Sequence, residues 1–87
     1  MGWYVYVLES LADGSFYKGY SSDYLKRLSE HNDRLSAYTS SRGPRVLRYV
    51  EVHDSKTMAI KRELMLKRQN RKYLLWLFDQ PTNILNK

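Results

Sequence analysis

The stretch that most constrains this chain is residues 3–8, Trp-Tyr-Val-Tyr-Val-Leu. Aromatic and β-branched side chains favour a strand there. Successive residues of a strand point to opposite faces, and here both faces are apolar. Such a strand belongs in the middle of a sheet, covered on both sides. A chain of 87 residues has room for one modest core. The expectation is therefore a single domain over residues 1–87, packed over about 3–78, with a C-terminal tail that is loose or weakly docked.

The rest of the chain divides around that strand. Ala12-Asp13-Gly14 supplies a turn, and residues 15–20 form a returning strand. Gly19, near its end, either terminates the strand or lets another group approach the backbone closely. Ser21, Ser22 and Asp23 can cap the first free N–H groups of a helix over about 23–32. At about 100° per residue, Tyr24, Leu25 and Leu28 form its buried arc, while Lys26 and Glu30 face solvent. Arg27 and His31 are four apart and share a face at the edge of that arc. A phenol at Tyr17, a guanidinium at Arg27 and an imidazole at His31 can converge at one strand end, a set suited to handling phosphate. The bland alternative for Arg27 is a snorkelling side chain or a structural ion pair.

Residues 33–45 have loop composition, with Arg34, Arg42 and Arg45 as phosphate-contact candidates and Tyr38 and Thr39 as further donors. Residues 46–52 form a third strand. A helix from about 54 to 68 places Ala59, Ile60, Leu64 and Leu66 on its apolar arc, and Glu63 falls inside that arc. A carboxylate is rarely buried alone. Glu63 either pairs with a basic side chain or faces a cleft and holds a cation, and a hard oxygen ligand suits Mg²⁺. A short helix over 71–78 carries Trp76 and five other apolar or aromatic residues, as core or docking face. Asp79-Gln80-Pro81 ends it.

The chain carries 15 Lys+Arg against 9 Asp+Glu, a net charge of +6. That balance favours a polyanionic partner. From Lys56 to Lys72 there are seven basic residues and one acidic residue, Glu63. Lys18, Arg42, Arg45, Lys67, Arg68, Arg71 and Lys72 are the candidate nucleic-acid-binding residues. There is no cysteine, which excludes a disulfide framework or thiolate metal site and fits a reducing cytoplasm. The N-terminus lacks the pattern of a signal peptide. No apolar run approaches the length of a membrane span.

With these residues placed, the sequence resembles the GIY-YIG nuclease superfamily. It is most similar to small stand-alone members related to the nuclease domain of the bacterial UvrC repair protein. The two name-giving tripeptides appear in degenerate form as Tyr4-Val5-Tyr6 and Tyr17-Lys18-Gly19, with ten residues between them. Residues 22–32 are similar to the family's helix bearing an essential Arg and, in this branch, a His. Ala59-Ile60-Lys61-Arg62-Glu63 is similar to the segment carrying its metal-ligand Glu. Tyr4 stands where the name has Gly, and Lys18 where it has Ile. For the late Asn of some relatives, Asn70 and Asn83 are the candidates.

The resemblance implies an α+β fold, a three-stranded antiparallel sheet flanked by three helices. It implies a metal-dependent DNA endonuclease with catalytic residues Tyr6, Tyr17, Arg27, His31 and Glu63. Glu63 is then the ligand of one Mg²⁺ or Mn²⁺ ion, and Arg27 holds the scissile phosphate. Tyr17, with Tyr6, orients or deprotonates the attacking water, and His31 is a second proton acceptor. DNA repair or recombination is the implied setting, with a protein partner that selects the substrate, no membrane, and a monomer or weak dimer. The rivals are a non-catalytic nucleic-acid-binding module on the same fold, and an interaction domain that dimerises through its last helix.

Overall fold

The apolar run becomes the middle strand. In order along the chain, β1 (Trp3–Ser10), β2 (Phe16–Ser21), α1 (Tyr24–Asp33), β3 (Arg45–His53), α2 (Lys56–Lys67) and α3 (Arg71–Phe78) precede a closing 3-10 turn, Ile84–Asn86. The strands form one antiparallel sheet in the order β2-β1-β3. This is the α+β architecture expected from the sequence, with the strand-strand-helix-strand-helix-helix order intact. The structure, a computed structural model, describes residues 2–33 and 44–86.

Alternation along β1 makes two cores. Val5 and Val7 join Tyr49, Ala59, Leu66, Leu74 and Leu77 on the face covered by α2 and α3. Tyr6 and Leu8 join Val50 on the other face, under Tyr24 and Leu28 of α1. A bulge in β3 keeps this division: Val7 pairs with Tyr49 and Leu8 with Leu47, so Arg48 is the extra residue. Skipping one residue moves Leu47 onto the same face as Val50, where it packs beside Leu8.

The helix ends follow short polar side chains. Ser55 caps α2 by accepting from the Met58 N–H, and Asn70 caps α3 by accepting from the Tyr73 N–H at 2.8 Å. At the β1–β2 turn Gly14 takes a positive φ of 75°, the conformation the Asp-Gly pair favours.

Two expected core positions are exposed. Leu25 is 61% and Leu64 52% accessible. On α1 the stripe that meets the sheet is Tyr24 and Leu28, one turn apart, and Leu25 is rotated off it. On α2 the buried stripe is Ala59, Glu63 and Leu66, which leaves Leu64 outside.

The tail is docked, not loose. Asn83 is 1% exposed. Its side-chain oxygen accepts from the Val50 and Leu85 N–H groups, and its NH₂ donates to the carbonyls of Arg48 and Phe78. One amide thus fastens the segment after α3 to the bulged strand β3. Asn83→Ala strands several buried backbone groups at once, each costing about 1–3 kcal/mol. The expected loss is about 3 kcal/mol, read as a lower urea midpoint with an unchanged denaturant slope.

Candidate active site

β1 and β2 pair so that Tyr6 faces Gly19, with Leu8 opposite Tyr17 and Tyr4 opposite Ser21. Between the two readings of Gly19, the structure shows close approach. A Cβ there would lie 2.5 Å from the Tyr6 hydroxyl and 2.6 Å from Cζ. The Tyr6 ring therefore lies across the edge strand in the gap that glycine leaves. The hydroxyl reaches the outer side of β2 although Tyr6 starts on the central strand.

There it meets a cleft of about 520 Å³. The cleft is lined by Tyr6, Tyr17, Arg27, His31 and Glu63, which are all five residues expected to be catalytic. They arrive on four elements: β1, β2, α1 and α2. Tyr17 is 43% exposed. Its ring lies 6.4 Å from that of Tyr6 and meets His31 edge-on, with centroids 4.6 Å apart. Burial, joined by the neighbouring Tyr17, pushes the Tyr6 phenol up to about 12, while Arg27 pulls it the other way.

Both cleft carboxylates have partners. Glu63 is 8% exposed, and its Oε1 takes an ion pair from Lys67 Nζ at 2.9 Å, one turn on. The hydrogen bond to Glu63, then its charge, raises the Lys67 pKa. Glu63 is thus paired with a basic side chain, the first alternative read from the sequence, and it also lines a cleft. Glu30, expected to face solvent and 38% accessible at its side chain, also lines the open cleft and pairs with Arg27 at 3.2 Å. It was legible only as the residue three after Arg27.

Arg45, at the start of β3, is placed beside the cleft and not on a remote surface. Its Nη1 is 3.2 Å from His31 Nδ1, and its guanidinium lies 5.8 Å from the Tyr17 ring centroid. A guanidinium can only donate, so this contact is a hydrogen bond when His31 is neutral with its proton on Nε2. Asn32 holds Arg45 in place. Its amide donates to the Arg45 carbonyl at 3.2 Å and accepts from the Arg45 N–H at 2.8 Å. No local pattern announces that contact between residues 13 apart.

The remaining basic candidates are dispersed. Lys18 pairs with Val7 and shares a strand face with Phe16 and Tyr20, opposite to Tyr17. Arg71 donates to the Gly14 carbonyl at 2.6 Å, pairs with Glu9 and lies over the Phe16 ring; it braces the β1–β2 turn. Arg68 caps α2 and Lys72 is exposed on α3. Arg42, with Arg34, Tyr38 and Thr39, lies outside the described residues. Asn70 and Asn83 serve as cap and tail anchor, and neither lines the cleft.

The family model described as the GIY-YIG catalytic domain matches residues 2–75. The chain belongs to the GIY-YIG family. Among similar proteins, a UPF0213 protein of Bacillus cereus is 46% identical over 68 residues, covering 77% of this chain and 70% of that protein. One of Halobacterium salinarum is 44% identical over 69 residues, covering 78% and 88%. The solution NMR structure of a UPF0213 protein from Bacillus halodurans matches with a TM-score of 0.59 and 34% identity, over 98% of this chain and 90% of that one. This GIY-YIG chain is thus similar to small proteins of much its own length.

Two measurements test the geometry. Gly19→Ala forces the Tyr6 ring aside and should cost about 1–3 kcal/mol, the usual penalty for overpacking. The cost should shrink in a Tyr6→Leu background, where the ring is gone. The second concerns alkali. Tyr6 and Tyr49 both sit near 12, each chiefly through burial, against about 10 in an unfolded chain. A raised folded value stabilises fully below the unfolded pKa and is lost as pH rises through the folded one. Urea midpoints should therefore hold up to about pH 10 and fall steeply between about 10 and 12.

Proposed function

We propose that this GIY-YIG chain is a metal-dependent DNA endonuclease that hydrolyses phosphodiester bonds. The observation that carries the reading is the convergence of Tyr6, Tyr17, Arg27, His31 and Glu63, from four elements, on one cleft. A module that only bound nucleic acid would need no buried carboxylate in a basic segment.

The donor set fits a hard divalent ion. Mg²⁺ commonly takes one or two carboxylates and completes its shell with waters and substrate phosphate. Glu63 supplies one buried carboxylate on the cleft wall. Among the described residues no group of three His, Cys, Asp or Glu forms a full protein cage. Glu63 holds Mg²⁺ or Mn²⁺ in this reading, with Lys67, half-exposed at its head, giving way. The ion, when bound, polarises the scissile phosphate and stabilises the leaving oxygen.

The chain's own groups do the rest. Arg27 presents a planar fork to the phosphate and opposes the charge that grows on it. Tyr6, its phenol pushed up to about 12, stays protonated at neutral pH and donates a hydrogen bond. Tyr17, the more exposed phenol, orients the attacking water. His31, with its Nδ1 engaged by Arg45, positions the Tyr17 ring. The net positive charge supplies affinity that does not depend on sequence.

The test is a panel of DNA structures incubated with Mg²⁺ or Mn²⁺. Glu63→Gln should abolish cleavage while thermal stability moves little, since the neutral amide removes a buried charge and the lysine it releases is half-exposed and returns to water. Arg27→Lys keeps the charge but loses the fork, so single-turnover cleavage should fall on the order of 10²–10³-fold with DNA affinity nearly unchanged. Arg68→Lys should be silent. Equal behaviour of the two Arg variants would sink the proposed active site.

A further inference from the structure

We infer that the part of the cleft walled by Trp3, Tyr20 and Lys56 is a subsite for an unpaired nucleotide beside the scissile phosphate. The inference rests on the endonuclease reading and names its substrate: DNA with a single-stranded or flipped-out nucleotide at the cut. The catalytic five use only part of the wall. On the opposite face of the sheet edge, the Trp3 and Tyr20 rings lie 6.4 Å apart, and Lys56 Nζ sits 5.5 Å from the Trp3 ring centroid.

Three observations point to a nucleobase. Both rings are only half-buried: they pack on the core and also bound the cleft. Packing at the core rim accounts for the first contact and not for the second. Lys56 makes no ion pair among the described residues, so its charge is available to a phosphate. The cleft's volume of about 520 Å³ exceeds what one phosphate and a hydrated ion fill, and lies within the roughly 300–1,000 Å³ of organic-ligand sites.

Aromatic faces interleaved with cations bind single strands by stacking, because every base has a π-face to offer. A base inside a duplex has both faces covered by its neighbours. It reaches a ring in a pocket only after leaving the stack. Trp3, Tyr20 and Lys56 line the same cleft as Arg27 and Glu63. A base on Trp3 therefore occupies the same cleft as the phosphate that Arg27 and Glu63 address.

The experiment is a fluorescence and affinity titration in EDTA, where nothing is cut. Trp76→Phe, at an exposed site on α3, leaves Trp3 as the one tryptophan of the chain's two. A short oligothymidylate, and a duplex bearing a single-stranded flap, should quench Trp3; a blunt duplex should not. Trp3→Leu should weaken single-strand affinity about ten-fold, the scale of one stacked base, and leave blunt-duplex affinity unchanged. Lys56→Gln, a surface change that spares folding, should weaken single-strand binding several-fold in the same selective way. Equal quenching by blunt duplex, or variants that weaken both substrates alike, overturns the subsite while leaving the endonuclease reading standing. Failure to bind any of these DNAs overturns both.

Discussion

The contact between the Tyr6 ring and Gly19 is the one on which the cleft depends. β2 is an edge strand, and an edge strand usually fences its central neighbour off from solvent. Here the fence has a gap, because the residue opposite Tyr6 has no side chain. The phenol crosses the gap and acts electrostatically with Tyr17, Arg27, Glu63 and Glu30. A slip of one residue in the register would place Tyr20 or Lys18 opposite Tyr6 and turn Tyr17 to the other face. Phe16 and Tyr20 of β2 pack against the core on the α2 and α3 side, and such a slip would turn them away from it. The packing that stabilises the sheet is thus also what aims the phenols.

Two buried carboxylates show how differently one residue type can be held. Glu51 on β3 is 6% exposed. It is caged: Tyr49 donates to it, Arg62 Nε meets both its oxygens at 3.1 and 2.9 Å, and the His53 ring lies against Oε2. Its partners belong to the neighbouring strand positions and to α2, and exchanging any of them for a ligand would strand a buried charge. Glu63 has similar burial, but its one ion-pair partner among the described residues is Lys67, whose side chain is 53% exposed. That lysine can leave for water at little cost. Burial alone would rate the two carboxylates alike; the exposure of their partners separates them, Arg62 at 22% against Lys67 at 53%.

Much of this was legible in the chain. Spacing suggested that Tyr17, Arg27 and His31 converge and placed Glu63 in an apolar stripe, while the resemblance added Tyr6 and the proposed roles; the structure brings all five to one cleft. Periodicity also yielded the middle strand and the element order. What it missed lay in tertiary detail. Leu25 and Leu28 are equally apolar, and only the angle at which α1 crosses the sheet decides that Leu28 is buried and Leu25 is not. Asn83 looks like any polar tail residue until β3 bulges at Arg48 and needs its carbonyl satisfied. Arg45 read as one loop cation among several, and the Asn32 clamp that turns it toward His31 has no sequence signature.

The charge balance of the cleft follows from the same reasoning. Arg27 faces Glu30, and Glu63 faces Lys67, so the site compensates itself without help from outside. Both pairs are largely solvated on their cationic side, where an ion pair contributes only about 0–1 kcal/mol. Neither could hold its geometry against a stronger partner. Under the endonuclease reading a phosphodiester is that partner for Arg27: it accepts two parallel hydrogen bonds from the fork, which the 3.2 Å contact from one Nη to one carboxylate oxygen does not use fully. The displaced Glu30 carries a negative charge and would repel a phosphate that sat wrongly against it. The pairing therefore does two things before any substrate arrives. It keeps a cluster of like charges from destabilising a small fold, and it leaves Arg27 on the cleft wall, already turned toward an anion.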